Sequence, residues 1–289
     1  MHAPTRGHDP ALIVWAEMHF TVTEPETGET PVVVEVPHAG LKLLPECLAT
    51  LAAPAHAIGR DADLFVDELY ADAPLEGATL LVAHTSRYVV DLNRSESDVD
   101  ADAVEGATGA PRASRGLVWR LTGDGEPVLT RRLTRAEVEE RLDAVYRPYH
   151  RALLTVIERK VARFGRAVLL AAHSMPSLSR VPAGVAQARR ADVVPGSRGR
   201  TSADSRYIDL VDAHARGAGW SVLHDEPYKG GFTTQHYGRP KENVHAVQVE
   251  LARRLYMDEM ALVPRKDAFD AVRRWCRALV AKLGQTALA

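Results

Sequence analysis

"RAVLLAAHS" (166–174) begins where the helical periodicity of "TRAEVEERLDAVYRPYHRALLTVIERKVARFG" (134–165) ends. The first stretch is an apolar run of strand length that stops at a histidine, and it reads as a buried strand. The second has Thr134 and Glu137 at capping-box spacing and Gly165 where a helix can close. Pro148 is expected to kink or split that helix, because it has no N–H for the preceding turn.

The same alternation extends along the chain. "TPVVVEVPHAG" (30–40) reads as a buried strand halted by Pro37 and Gly40, and "DADLFVDELY" (61–70) as a helix with Leu64, Phe65, Val66 and Leu69 on its apolar side. "ATLLVAHTSRYVVDLNR" (78–94) holds a strand near 79–83 and a second extended piece near 88–92. After residue 203 the pattern predicts a helix (204–217), a strand "WSVLHD" (220–225) and a Gly-rich loop (227–240). A strand "HAVQVEL" (245–251) and a closing helix near 266–283 follow. Residues 95–130 and 175–204 lack periodicity and read as long loops, which inside a domain are often functional. Strands alternating with long helices predict an α/β fold, a three-layer sandwich around a mostly parallel mixed sheet. With no repeat or linker, residues 1–289 read as a single domain.

Composition narrows the function classes. A 46% hydrophobic, 26% charged chain of net charge −2 has no basic footprint, so nucleic acid is not an expected partner. No apolar stretch approaches the roughly 20 residues of a membrane span, and "MHAPTRGHDPALIVW" lacks the pattern of a secretion signal. Cys47 and Cys276 lie far apart, as expected of free thiols in a cytoplasmic protein. Nothing in the sequence speaks to oligomeric state.

In open α/β sheets, ligands bind beyond the carboxyl ends of the strands. His38, His173 and Glu250 fall at such ends, and Asn93 and Arg94 follow the segment 88–92. Two imidazoles and one carboxylate are a common set for a catalytic zinc. His38 and His173 can supply the imidazoles, and "GRDAD" (59–63) offers Asp61 or Asp63. A carboxylate that merely faces a helix N-terminus is the plainer account of either aspartate. Glu250 puts a charge on an apolar strand, which is costly unless it is used or paired. It can serve as a general base, or it can form an ion pair with Arg253 or Arg254. Arg94 can grip a carboxylate through two parallel hydrogen bonds, or pair on the surface with Asp91 or Glu96.

Taken in order, "VPHAG", "RDADLFVDELY", "VDLNR", "YRPYH", "AAHSMPS", "DVVPGSRGRTSAD", "PYKGGFTTQHYGRP" and "HAVQVELARRLYMDE" span roughly residues 30–260. On these motifs the chain resembles the N-formylglutamate amidohydrolases, or N-formylglutamate deformylases, a family distantly similar to zinc carboxypeptidases. The resemblance implies one zinc ion per chain and hydrolysis of N-formyl-L-glutamate to formate and L-glutamate, a late step of histidine degradation. "AAHSM" is similar to the strand-end histidine ligand of those peptidases, "VDLNR" to their Asn-Arg pair, and "VQVEL" to the strand of their general-base glutamate. The peptidases carry a Glu three residues after the first histidine, where this chain has Leu41. The third ligand must then come from elsewhere, and the Asp of "RDAD" is the candidate. Related zinc amidases take theirs from the next helix, which favours Asp63 and leaves Asp61 open.

A formyl group offers little to recognise, so affinity must come from the two carboxylates of the substrate. Arg94 is one expected clamp. Arg198 and Arg200 in "GSRGR", and Lys229, Thr233, Thr234, His236 and Arg239 in "PYKGGFTTQHYGRP", are further candidates. Two alternatives stand beside this reading. One is another zinc-dependent N-acyl amino acid amidase or carboxypeptidase-like hydrolase on the same scaffold; the other is a non-catalytic dicarboxylate-binding protein.

Overall fold

A computed structural model describes residues 19–26, 28–108, 115–180 and 186–289. The N-terminal stretch read for a secretion signal therefore lies outside the described residues, as do short pieces of both long loops. Six strands form the central sheet: β1 (Phe20–Thr23), β2 (Val32–Val36), β3 (Thr79–Ala83), β4 (Ala167–Met175), β5 (Val193–Gly196) and β6 (Val244–Ala252). Their order is β1-β3-β2-β4-β6-β5. The four central strands are parallel, and β1 and β5 close the edges antiparallel.

The α-helices longer than four residues are α1 (Ala55–Asp61), α2 (Arg135–Arg141), α3 (Arg147–Phe164), α4 (Ser205–Gly217), α5 (Phe232–Tyr237) and α6 (Lys266–Leu288). Strand alternation splits the apolar side chains between two cores. Val32, Val34, Val36, Leu170 and Val247 pack with residues of α4 and α6. Val33, Leu169 and Ala246 pack with residues of α2 and α3 on the opposite face. Each fully buried valine contributes about 1.5–3 kcal/mol relative to exposure. The mixed α/β sandwich expected from the sequence is what these two cores build.

The capping box holds: Thr134 Oγ1 accepts from the Glu137 N–H at 3.2 Å, and Glu137 Oε2 accepts from the Thr134 N–H at 2.8 Å. Gly165 closes α3 with φ +70°. A π-helical turn, Leu142–Tyr146, separates α2 from α3 immediately before Pro148. The wider turn accommodates a residue that can neither donate nor fit closely against the preceding turn.

Several local expectations are corrected. The predicted helix 61–70 is broken: α1 ends at Asp61, Ala62 is extended, and Phe65 has φ +66° before a short turn at Val66–Leu69. The segment 88–92 is a turn rather than a strand, because its polar groups bond locally and to buried side chains. The Val89 N–H donates to the Ser86 carbonyl, and Arg141 donates to the Val89 carbonyl. "WSVLHD" makes only an isolated bridge from Val222 to Val193. The loop 175–204 contains β5, an edge strand of four residues, and the Gly-rich loop 227–240 contains α5.

Candidate metal and active site

The carboxyl ends of β2, β4 and β6 meet at one point. Parallel register sets His173 of β4 directly opposite Glu250 of β6. His38 follows the end of β2 by two residues. The break after α1 delivers the carboxylate: the Asp63 N–H donates to the His38 carbonyl at 2.9 Å, tying this loop to the strand end. Continued helix through residues 62–65 would not make that bond. Local periodicity yields here to the placement of one side chain.

His38, Asp63 and His173 are all buried, and each offers a ligand atom within 4.8 Å of the others. Asp63 Oδ2 lies 2.9 Å from His173 Nδ1 and 3.6 Å from His38 Nδ1. The imidazole rings stand 4.9 Å apart, centroid to centroid. His38 Nδ1 is a buried nitrogen with no hydrogen-bond partner among the described residues. An orphaned ring nitrogen beside a second imidazole and a carboxylate is the donor set of a zinc site, so the residues fit a divalent metal. Burial alone would raise the Asp63 carboxyl. The hydrogen bond from His173 and the proximity of both imidazoles outweigh it and hold the group well below the usual carboxylate range. Asp61 is engaged elsewhere: its carboxylate accepts from the Tyr88 hydroxyl at 2.6 Å, the Gly123 N–H at 2.7 Å, and Arg180.

Behind His38 lies a residue that the sequence did not reveal as part of a site. Asp91 Oδ1 accepts from His38 Nε2 at 2.8 Å and from the Asn93 N–H at 2.9 Å. Its Oδ2 accepts from Trp119 Nε1 at 2.8 Å, and from Arg87 Nε and Nη2 at 3.2 and 2.9 Å. Burial would raise this carboxyl too, but Arg87 and His38 keep it well below the ordinary range. A carboxylate on the far nitrogen fixes the tautomer of His38 and leaves Nδ1 free to ligate. The i, i+4 spacing of Arg87 and Asp91 was the available signal. It was obscured because the segment read as a strand, where those residues would not pair. Asp91→Asn is expected to weaken divalent-metal binding at this cluster by roughly 10- to 100-fold, measured by competition with a chelator. Unchanged affinity would show that His38 needs no such support.

Glu250 is buried and accepts from Gln248 Nε2 at 2.9 Å. Burial pushes its carboxyl up to about 7, against opposing charge from His173. A carboxyl poised near neutrality can both take and return a proton. Gln248 is the second residue missed, although its i−2 position put it on the same sheet face as Glu250.

The predicted substrate-binding residues divide by placement. Asn93 joins the site, its amide nitrogen 3.2 Å from His173 Nε2. Its Oδ1 accepts from the Thr233 N–H and hydroxyl at 3.0 and 3.2 Å, anchoring the start of α5. Gly231 permits this approach, since a Cβ there would fall 2.3 Å from the Asn93 amide. Thr234 is buried with no partner for its hydroxyl among the described residues. Arg198 donates to the Gly230 carbonyl at 3.0 Å, and its own N–H to the Lys229 carbonyl at 2.8 Å. Arg94 donates through Nε to the Arg115 carbonyl at 3.0 Å. Arg200 is drawn into a surface pair with Asp209 at 2.7 Å, and Arg239 pairs with Glu242 at 3.2 Å. His236 is exposed and stacks on Phe232.

The arrangement has relatives. The N-formylglutamate amidohydrolase family model matches residues 30–257. The chain is 37% identical over 261 residues to the N-formylglutamate deformylase of Pseudomonas aeruginosa PAO1, covering 89% of this chain and 93% of that one. It is 34% identical over 235 residues to the N-formylglutamate deformylase of Pseudomonas putida, covering 80% and 84%. The crystal structure of an N-formylglutamate amidohydrolase from Ralstonia eutropha JMP134 matches with a TM-score of 0.83 at 31% identity, covering 93% of this chain and 98% of that one.

Proposed function

The chain belongs to the N-formylglutamate amidohydrolase family, and from that premise we propose that it hydrolyses N-formyl-L-glutamate to formate and L-glutamate with one zinc ion per chain. The observation that carries this reading is the convergence of His38, Asp63 and His173 beside a buried Glu250. In this reading His38, Asp63 and His173 hold the ion. Zinc, when bound, lowers the pKa of water and polarises an acyl oxygen. Glu250 takes a proton from the attacking water as the oxygen–carbon bond forms at the formyl carbon. It then delivers that proton to the amide nitrogen as the carbon–nitrogen bond breaks. Asp91 holds the ring of His38, and Asn93 anchors the start of α5.

Arg94, Arg198, Lys229, Thr233 and Thr234 remain the proposed contacts to a small substrate with two carboxylates. Arg200 and His236 are the weaker members of the original set, since one has an acidic partner and the other stacks on the surface. The reading treats residues 1–289 as one amidohydrolase domain acting in the cytoplasm during histidine degradation. Among the described residues no helix is long and apolar enough to cross a membrane.

Metal analysis together with a formate-release assay tests the proposal. The expected result is about one zinc per chain and formate released from N-formyl-L-glutamate. Zinc without turnover of this substrate would shift the reading to another N-acyl amino acid. Neither zinc nor turnover would leave a dicarboxylate-binding protein.

A further inference from the structure

A pair of side chains outside every set above borders the same site. Tyr228 packs its ring against Met175, Val194 and Ala252, which end β4, lie in β5 and end β6. The loop carrying Tyr228 lies close over β5: a Cβ at Gly196 would fall 2.9 Å from the Tyr228 carbonyl. The phenol therefore sits over the carboxyl ends of the strands that bear His173 and Glu250. The charges that act on it include those of Glu250, Asp63 and Arg87.

Arg190 completes the pair. Its guanidinium lies over the Tyr228 ring, 5.3 Å from the centroid. Nη1 donates to the Tyr228 hydroxyl at 3.2 Å and to the Pro176 carbonyl at 3.0 Å, one residue beyond β4. Among the described residues no carboxylate lies within ion-pair distance of Arg190, and its Nε and Nη2 donate to nothing. Three other arginines at this end of the sheet are held by acidic partners, Arg87 by Asp91, Arg180 by Asp61 and Arg254 by Asp192, whereas Arg94 and Arg198, like Arg190, donate to backbone carbonyls. Arg190 is partly exposed and pre-oriented by stacking, with one edge of its fork uncommitted among the described residues. A planar fork so held matches a carboxylate, which can accept two parallel N–H bonds.

We propose that Arg190, positioned by Tyr228, seats one of the two substrate carboxylates and sets the preference for a dicarboxylic N-acyl amino acid. The inference rests on the amidohydrolase reading above. It adds a specificity determinant that the sequence motifs did not mark, because Arg190 lies among four arginines within "ARRADVVPGSRGR" (188–200) that look alike in sequence.

The experiment compares wild type, Arg190→Met, Arg190→Lys and Tyr228→Phe on three substrates: N-formyl-L-glutamate, N-formyl-L-glutamine and the α-amide of N-formyl-L-glutamate. For Arg190→Met, kcat/KM on N-formyl-L-glutamate is expected to fall about 10- to 100-fold, mostly through KM, the worth of a charge-assisted hydrogen bond. The loss should vanish for whichever analogue lacks the seated carboxylate and persist for the other, which identifies α or γ. Arg190→Lys should recover part of the loss, and Tyr228→Phe should show a smaller loss with the same substrate dependence. An equal loss on all three substrates, or none, overturns the inference while wild-type turnover leaves the functional reading intact. A wild-type protein that turns over none of the three overturns both.

Discussion

Replacing Asp63 with asparagine is expected to weaken zinc binding by more than about 100-fold and to take formate release down with it, since even residues behind the ligands contribute up to that much. Asparagine keeps the shape of the side chain and removes its charge. The carboxylate is the only anionic member of the three-residue cluster, and it lies within 2.9 Å of one imidazole nitrogen and 3.6 Å of the other. The fold should survive, because the backbone bond from Asp63 to His38 and the donation from Arg253 to the Ala62 carbonyl do not involve the substituted group. Thermal unfolding close to that of wild type, with zinc lost in a chelator competition, is the expected pair of results. Asp61→Asn serves as the contrast. That carboxylate holds Tyr88, Gly123 and Arg180, so its substitution should cost stability while zinc stays bound. If the two variants exchanged behaviours, Asp61 would be the ligand and the break after α1 would need another explanation.

Glu250→Gln should retain zinc and lose turnover by roughly a hundredfold to ten-thousandfold, the usual contribution of a positioned general base. The substitution is nearly isosteric, and the Gln248 amide can still donate to the remaining oxygen. What disappears is a group able to accept a proton from water and return it to the leaving nitrogen. The register that sets Glu250 against His173 puts this group beside the proposed metal without making it one of the three clustered ligand atoms. The loss should appear in kcat, with KM little changed, because glutamine removes a role in the transition state rather than a binding contact. Full activity in this variant would remove Glu250 from the chemistry. Loss of zinc together with activity would make it a ligand instead.

The parts of this molecule that sequence shows well are those where local pattern and tertiary packing agree. The valines of β2 and the apolar run of β4 are buried on both faces, and their hydrophobicity, broken in β2 only by Glu35, says so directly. The capping box at Thr134 and the glycine at 165 marked both ends of a helical region whose internal π turn fell next to Pro148. Pattern fails where the chain bends to serve the site. The apolar residues after Asp61 have helical spacing, yet the helix stops so that Asp63 can reach His38. Tyr88, Val89 and Val90 are β-formers, yet a turn there places Asp91 under the imidazole. β5 escaped notice because an antiparallel edge strand of four residues gives too short a signal. Strand-end histidines and a charged residue on an apolar strand were visible in one dimension. The carboxylate behind His38 and the stacked Arg190–Tyr228 pair were not, since each depends on contacts between segments distant in sequence.

The most direct measurement is an anomalous difference map from crystals of the zinc-loaded protein, collected on both sides of the zinc absorption edge. The account calls for a single strong peak enclosed by His38 Nδ1, Asp63 Oδ2 and His173 Nδ1, present above the edge and lost below it. A peak bound by other side chains, or none at this cluster in protein that releases formate, would contradict it.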